Sequence, residues 1–165
     1  MVKILLFMTG FTYIWFYIKN IKGTKEMLTG QYYPTIDANG RLAFPAKLRE
    51  ELGERFIITR WTEDCLVAFS EEEWKITCEK IRNSSYTNAI DMRRYLFPYA
   101  CTVEPDKQGR VIIPATLREH IGITDEVVIV GNMDRAEIWV KEKWNEIQQE
   151  LTADIFYEQL KELGI

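Results

Sequence analysis

The amino-acid sequence predicts an α+β fold: two small β units related by approximate symmetry, joined by helices and followed by a C-terminal helix or tail. Three observations carry this. A fourteen-residue pattern occurs twice, as Asp37-Ala-Asn-Gly40-Arg41-Leu-Ala-Phe-Pro45-Ala-Lys-Leu-Arg49-Glu50 and as Asp106-Lys-Gln-Gly109-Arg110-Val-Ile-Ile-Pro114-Ala-Thr-Leu-Arg118-Glu119, at a constant offset of 69 residues. Each copy is followed by two β-rich runs and a tryptophan. Each unit spans roughly 45 residues, a size at which a domain is marginal alone, so strands shared between units or between subunits are expected. Two copies are too few for a solenoid and point instead to two symmetric halves.

Each copy can be read in order. Tyr32, Tyr33, Thr35 and Ile36 before the first copy, and Tyr99, Cys101, Thr102 and Val103 before the second, are strand formers. Asp37–Gly40 and Asp106–Gly109 read as turns, because Asp bonds nearby backbone N–H groups and Gly accepts positive φ. Short strands follow at Arg41–Phe44 and Arg110–Ile113. Pro45 and Pro114 close them, because proline holds the preceding residue extended. Proline also suits the first helical position. Leu48 and Leu52, like Leu117 and Ile121, then face a core at helical spacing. Gly53 and Gly122 stand where helices stop. Phe56–Thr59 with Cys65–Phe69, and Val127–Val130 with Ala136–Val140, read as hairpins leading to Trp74 and Trp144. Ser70 and Glu73 have capping-box spacing.

Two copies of Asp-x-x-Gly-Arg-x-x-x-Pro-x-x-x-Arg, the second followed by a hairpin ending in Glu137-Ile138-Trp139, resemble the MraZ family. Its members are bacterial transcription regulators with two SpoVT-AbrB-type domains. The similarity spans about Met27 to Trp144, and the doubled motif makes it specific where a single Gly-Arg-x-x-x-Pro would be weak. The core motif positions show no departure, although Phe44 is bulky where the second copy has Ile113. The resemblance implies a swapped-hairpin barrel built by both halves and a ring-like homo-oligomer. It also implies a cytoplasmic, nucleoid-associated protein acting on repeated promoter boxes of a cell-division and cell-wall gene cluster that includes its own gene.

The domain layout follows. Residues 31–74 form the first repeat and 102–145 the second. A helical connector at 75–98 lies between them, with Asn83-Ser84-Ser85 as its break and Trp74, Ile76 or Thr77, and Ile81 as its apolar side. Asp91, Arg93 and Arg94 are expected to be exposed. Residues 146–165 read as an acidic helix or tail, with Ile147, Leu151, Ile155 and Leu160 near helical spacing.

Residues 1–26 fit this scheme poorly. Ile4 to Ile18 is a 15-residue stretch without charge between Lys3 and Lys19. It is shorter than the ~20 residues of a spanning helix. It looks like a signal-peptide core, yet no small-x-small cleavage site follows. The reading preferred is an extension ahead of a true start at Met27, where Met27-Leu-Thr-Gly-Gln-Tyr-Tyr resembles the family's N-terminus. A signal or anchor segment is the alternative. No membrane partner is expected if translation begins at Met27.

Net charge is −4, unusual for a nucleic-acid binder, but it is unevenly spread. Residues 136–165 hold seven acids against three lysines, whereas 37–49 hold Asp37 against Arg41, Lys47 and Arg49. Local clustering governs phosphate affinity, so an oligomer lining up modest basic patches can still bind a duplex. Arg41, Lys47, Arg49, Arg110 and Arg118 are the candidate DNA-binding residues. Arginine suits phosphate contact and bidentate reading of guanine, and Lys47 lies at a helix start that favours anions. The bland alternative is that Arg41 and Arg49 brace the turn through Asp37, and Arg110 and Arg118 through Asp106. Lys47 against Thr116 makes the first copy the more basic. Asp37, Gly40, Pro45, Asp106, Gly109 and Pro114 read as devices of turn and helix start.

Catalysis is not expected. There is one histidine, His120, read as a solvated helix end, and no phosphate-binding glycine loop. Cys65, Cys78 and Cys101 lack Cys-x-x-Cys spacing, so neither a metal site nor a disulfide framework is expected, and no cofactor is called for. A second function class is an antitoxin-like regulator gripping a protein through the acidic Leu151–Leu163 segment.

Overall fold

The computed structural model describes residues 27–164; the expectations for residues 1–26 fall outside that range. The chain is a mixed α+β protein. Its first copy supplies β1 (Gln31–Tyr32), β2 (Arg41–Ala43), α1 (Ala46–Leu52), β3 (Phe56–Arg60) and β4 (Cys65–Ser70). Two connecting helices follow, α2 (Glu71–Asn83) and α3 (Tyr86–Leu96), with a 3-10 turn at Phe97–Tyr99. The second copy gives β5 (Cys101–Val103), β6 (Arg110–Ile112), α4 (Ala115–Ile121), β7 (Val127–Asn132) and β8 (Arg135–Val140). Helices α5 (Lys141–Glu150) and α6 (Ala153–Leu163) end the chain.

The strands interleave. A six-stranded antiparallel sheet runs β1-β7-β8-β4-β3-β5, and a separate two-stranded ribbon joins β2 to β6. Exchanging the copies turns the sheet order into its own reverse, so the internal symmetry of the sequence is also that of the sheet. Except within the β3–β4 and β7–β8 hairpins, every strand pairing crosses from one copy to the other: β1 with β7, β5 with β3, β4 with β8 and β2 with β6. The closure that the barrel implied by the resemblance needs, a ladder from β1 to β5, is not among the pairings of the described residues.

One core serves both copies. Leu42, Phe44, Leu48 and Leu52 from the first meet Val111, Ile113, Leu117 and Ile121 from the second, all buried in one cluster with the inner residues of the sheet. Phe44 is accommodated by the ring of Phe56, with centroids 4.9 Å apart. Since each copy's edge bonds and many of its apolar partners lie in the other, a fragment of residues 27–94 is expected never to appear as a folded monomer. Sedimentation with circular dichroism should find it unfolded or paired with another copy; a folded, monomeric fragment would contradict this.

The connector is fastened to β3. Thr59 Oγ1–H donates to the Leu96 carbonyl at 2.8 Å, and Arg60 Nε–H donates to that of Tyr95 at 2.6 Å. The Arg60 guanidinium lies between the Tyr95 and Tyr99 rings, 4.2 and 3.6 Å from their centroids, the geometry of cation–π attraction. On α2 the inward side uses Trp74, Thr77 and Ile81, leaving Ile76 exposed. Ser70 caps this helix, its Oγ accepting from the Glu73 N–H at 3.2 Å.

Three local expectations are corrected. Pro45 and Pro114 stand one place before their helices, with ψ of 130° and 145°, because they still continue the extended strands they terminate. His120 is half-buried, its Nε2 3.0 Å from the Thr62 carbonyl and its ring edge-on to Tyr95, so it ties α4 to the loop after β3 instead of standing in solvent. The apolar spacing after Trp144 does not make one helix. Leu151 leaves helical geometry, and the Thr152 hydroxyl caps a new helix by accepting from Ile155 N–H at 3.4 Å.

Candidate nucleic-acid interface

The two repeated turns meet at the β2–β6 ribbon. Asp37 Oδ1 accepts from the N–H groups of Asn39 and Arg41, both at 2.9 Å, and Asp106 Oδ1 does the same for Gln108 and Arg110 at the same distances. Gly40 and Gly109 close the turns at φ of 76° and 74°, a left-handed geometry that side chains resist. Each glycine carbonyl then accepts from the opposite copy: Ile113 N–H to Gly40 at 2.8 Å, Phe44 N–H to Gly109 at 3.0 Å.

The ribbon alternates strictly. Leu42 and Val111, paired at its centre, point into the core, while Arg41, Ala43, Arg110 and Ile112 point outward. Register sets Arg41 opposite Ile112 and Ala43 opposite Arg110, so the two arginines sit diagonally about the approximate twofold. The period of two along each strand is the sequence signal that turns Ala43 and Ile112 outward.

The five basic candidates separate by geometry. Arg41 is exposed, and among the described residues its guanidinium has neither ion pair nor hydrogen bond; Lys47, exposed in the first turn of α1, is likewise unpaired. Arg110 is held by its own turn, with Nε and Nη2 at 2.9 and 2.8 Å from Asp106 Oδ2. Arg49 and Arg118 make no pair with the turn aspartates. Their Nε–H groups donate to the carbonyls of Phe44 at 3.0 Å and Ile113 at 3.1 Å. Their guanidinium groups lie over the opposite copy's turn: a Cβ built on Gly109 would be 2.5 Å from Arg49 Nη2, and one on Gly40 2.8 Å from Arg118 Nε. Thus Arg49 and Arg118 are clamps holding each turn against the other's helix, while Arg41 alone of the four arginines has its head group uncommitted.

The surroundings are not uniformly positive. A shallow groove beside the ribbon is lined by Arg41, Arg110 and Ile112 but also by Glu104 and Asp106. The Arg110 N–H, and after it the Arg110 guanidinium, hold the Asp106 carboxyl below its ordinary range. A folded value below the unfolded one means that this contribution to the turn is present above the ordinary carboxylate range and is lost as pH falls through the lowered value. Carboxyl NMR is expected to show Asp106 titrating below the ordinary carboxylate range, with the Arg110 side chain released in step; an ordinary midpoint would show that the pair does not persist in solution.

Among the described residues no group of three His, Cys, Asp or Glu side chains is placed to hold a metal. Cys65, Cys78 and Cys101 carry free thiols. Burial pushes the thiols of Cys65 and Cys101 upward, away from the reactive thiolate form. Among the described residues no helix is long and apolar enough to cross a membrane.

Comparison with known proteins matches the duplication. A family model described as "MraZ protein, putative antitoxin-like" fits the chain twice, over residues 27–94 and 96–163. A protein named transcriptional regulator MraZ from Caldicellulosiruptor bescii is 45% identical over 143 residues, covering 84% of this chain and 100% of that one. The protein of the same name from a Thermoanaerobacter species is 44% identical over 138 residues, covering 82% and 95%. One from Clostridium botulinum is 41% identical over 142 residues, covering 84% and 100%.

Proposed function

The chain belongs to the MraZ family, and from that membership we propose that it is a transcription regulator gripping double-stranded DNA with the outward face of the β2–β6 ribbon. The observation that carries this reading is the unpaired Arg41 guanidinium on an exposed ribbon fixed from behind by both copies. A two-stranded β-ribbon fits the major groove, where arginine can bond both guanine acceptors. Lys47 contacts phosphate beside it and sets the register. Arg110 contributes less, since Asp106 already neutralises it. Arg49 and Arg118 act through shape, keeping the ribbon rigid enough to be read against.

The reciprocal pairing of the copies supports the swapped-hairpin arrangement implied by the resemblance. One ribbon carries too little charge for tight binding by an acidic protein. Assembly into a ring-like homo-oligomer supplies the rest by presenting several ribbons to repeated boxes, where linked contacts multiply. The protein then works in the cytoplasm at the nucleoid, on a cell-division and cell-wall gene cluster that includes its own gene. The family is one of transcriptional regulators rather than enzymes, and the reading needs no cofactor.

Footprinting on DNA immediately upstream of the gene tests the proposal. Protection of evenly spaced boxes is expected, weakening steeply with salt. A uniform cleavage pattern at low salt would dispose of it. A second reading, an antitoxin-like regulator holding a protein by its tail, draws on α6, whose Ile155, Phe156, Tyr157 and Leu163 are exposed. Co-purification of a small basic protein would favour it.

A further inference from the structure

The outward face of the ribbon carries one large apolar side chain. Ile112 is 58% exposed, while its strand neighbours Val111 and Ile113 are buried at 1% and 0%. It stands directly across from Arg41 and two places along β6 from Arg110, so an aliphatic group is held in water between two guanidinium groups. Among the described residues, the other exposed large apolar side chains lie elsewhere, on the helices, the loops or the β1 end of the sheet. The position related to Ile112 by the internal symmetry is Ala43, across from Arg110. The two ends of the ribbon therefore differ in apolar reach, as they differ in whether the arginine is paired.

Resting on the DNA-binding reading above, we propose that Ile112 is a specificity-determining residue that packs against the 5-methyl group of a thymine in the major groove. The chemistry is selective: of the four bases only thymine presents an apolar group on that edge, so an aliphatic side chain beside an arginine distinguishes thymine from every alternative. The rigid backing of the ribbon fixes how deep Ile112 enters. Ala43 reaches less far and buries less of a methyl at the other end, which gives the approximately symmetric ribbon a preferred orientation on DNA.

The test uses the full chain and two duplexes of the DNA upstream of its gene, one with thymine and one with deoxyuridine at every thymine position. Loss of each contacted methyl is expected to weaken wild-type binding by about three- to five-fold per ribbon engaged. Deoxyuridine also alters duplex flexibility, so Ile112→Ala serves as the control and is expected to lose most of the preference. Ile112→Val, which keeps a branched strand former, should retain an intermediate preference and gives a readout should the alanine variant unfold. Equal wild-type affinity for the two duplexes overturns the inference and leaves the regulator reading standing. An undiminished thymine preference in Ile112→Ala overturns it too, by assigning the effect to the DNA. Failure of the wild type to bind the thymine duplex brings down both.

Discussion

Arg41→Ala is expected to lower affinity for the upstream DNA by about five- to 150-fold, the range of one good bidentate base contact. The fold should be untouched, because the Arg41 head group touches no carboxylate among the described residues and only its backbone N–H and carbonyl serve the turn. Circular dichroism and oligomer size would therefore match the wild type. The salt dependence tells what the arginine does. Loss of a phosphate contact lowers the slope of log affinity against log salt by about 0.9, whereas loss of a base contact leaves the slope and relaxes sequence preference. Arg110→Ala should cost less, since its charge is already spent on Asp106 at 2.8 Å. An unchanged mobility shift for Arg41→Ala would remove the ribbon's leading contact, and with it the reason to place DNA there.

Gly40→Ala is expected to be the more damaging of two substitutions that look equivalent in the sequence. Both turn glycines have positive φ, so an added Cβ costs each about 1–2 kcal/mol. The neighbours decide the rest. At Gly109 the atoms nearest the new one all belong to the Arg49 guanidinium, which can swing away by giving up its bond to the Phe44 carbonyl. That bond contributes about 1 kcal/mol. At Gly40 the new atom would lie 2.8 Å from the Ile113 main-chain oxygen, which is fixed by the ribbon and cannot yield without shifting β6. Total losses of about 3–4 kcal/mol for Gly40→Ala and about 2–3 kcal/mol for Gly109→Ala follow, or melting temperatures lower by roughly 10 °C and 7 °C. Thermal unfolding of the two variants side by side measures the difference; equal melting points would show that the ribbon backbone relaxes freely.

The damage should reach DNA binding as well, because the clamp and the contact share one turn. Gly40 precedes Arg41, and Arg118 holds Gly40 from the other copy. A shifted turn re-aims the arginine. Gly109→Ala, by contrast, loosens Arg49 while leaving Arg41 on its own undisturbed turn. The two glycine variants thus separate a loss of stability from a loss of recognition.

The duplicated motif by itself determined a good deal. It gave two symmetric units, turns at Asp37–Gly40 and Asp106–Gly109, short helices ended by Gly53 and Gly122, and the hairpins after them, because each of these is local: a side chain bonding its own backbone, a glycine at positive φ, a proline stopping a strand. It also pointed to Arg41 as the leading contact. The roles of the remaining arginines were not legible. Arg49 and Arg118 have the same sequence context as any helix arginine, and whether they reach outward, back to an aspartate or across to the other copy depends on residues 60 or more positions away. The tertiary structure decided that, by weaving each copy's strands through the other's sheet so that the clamp of one lies over the glycine of the other. It likewise freed Arg41, tied down Arg110 and turned Ile112 outward, because strand register is fixed by pairing across copies, and pairing is a long-range property that no window of sequence contains.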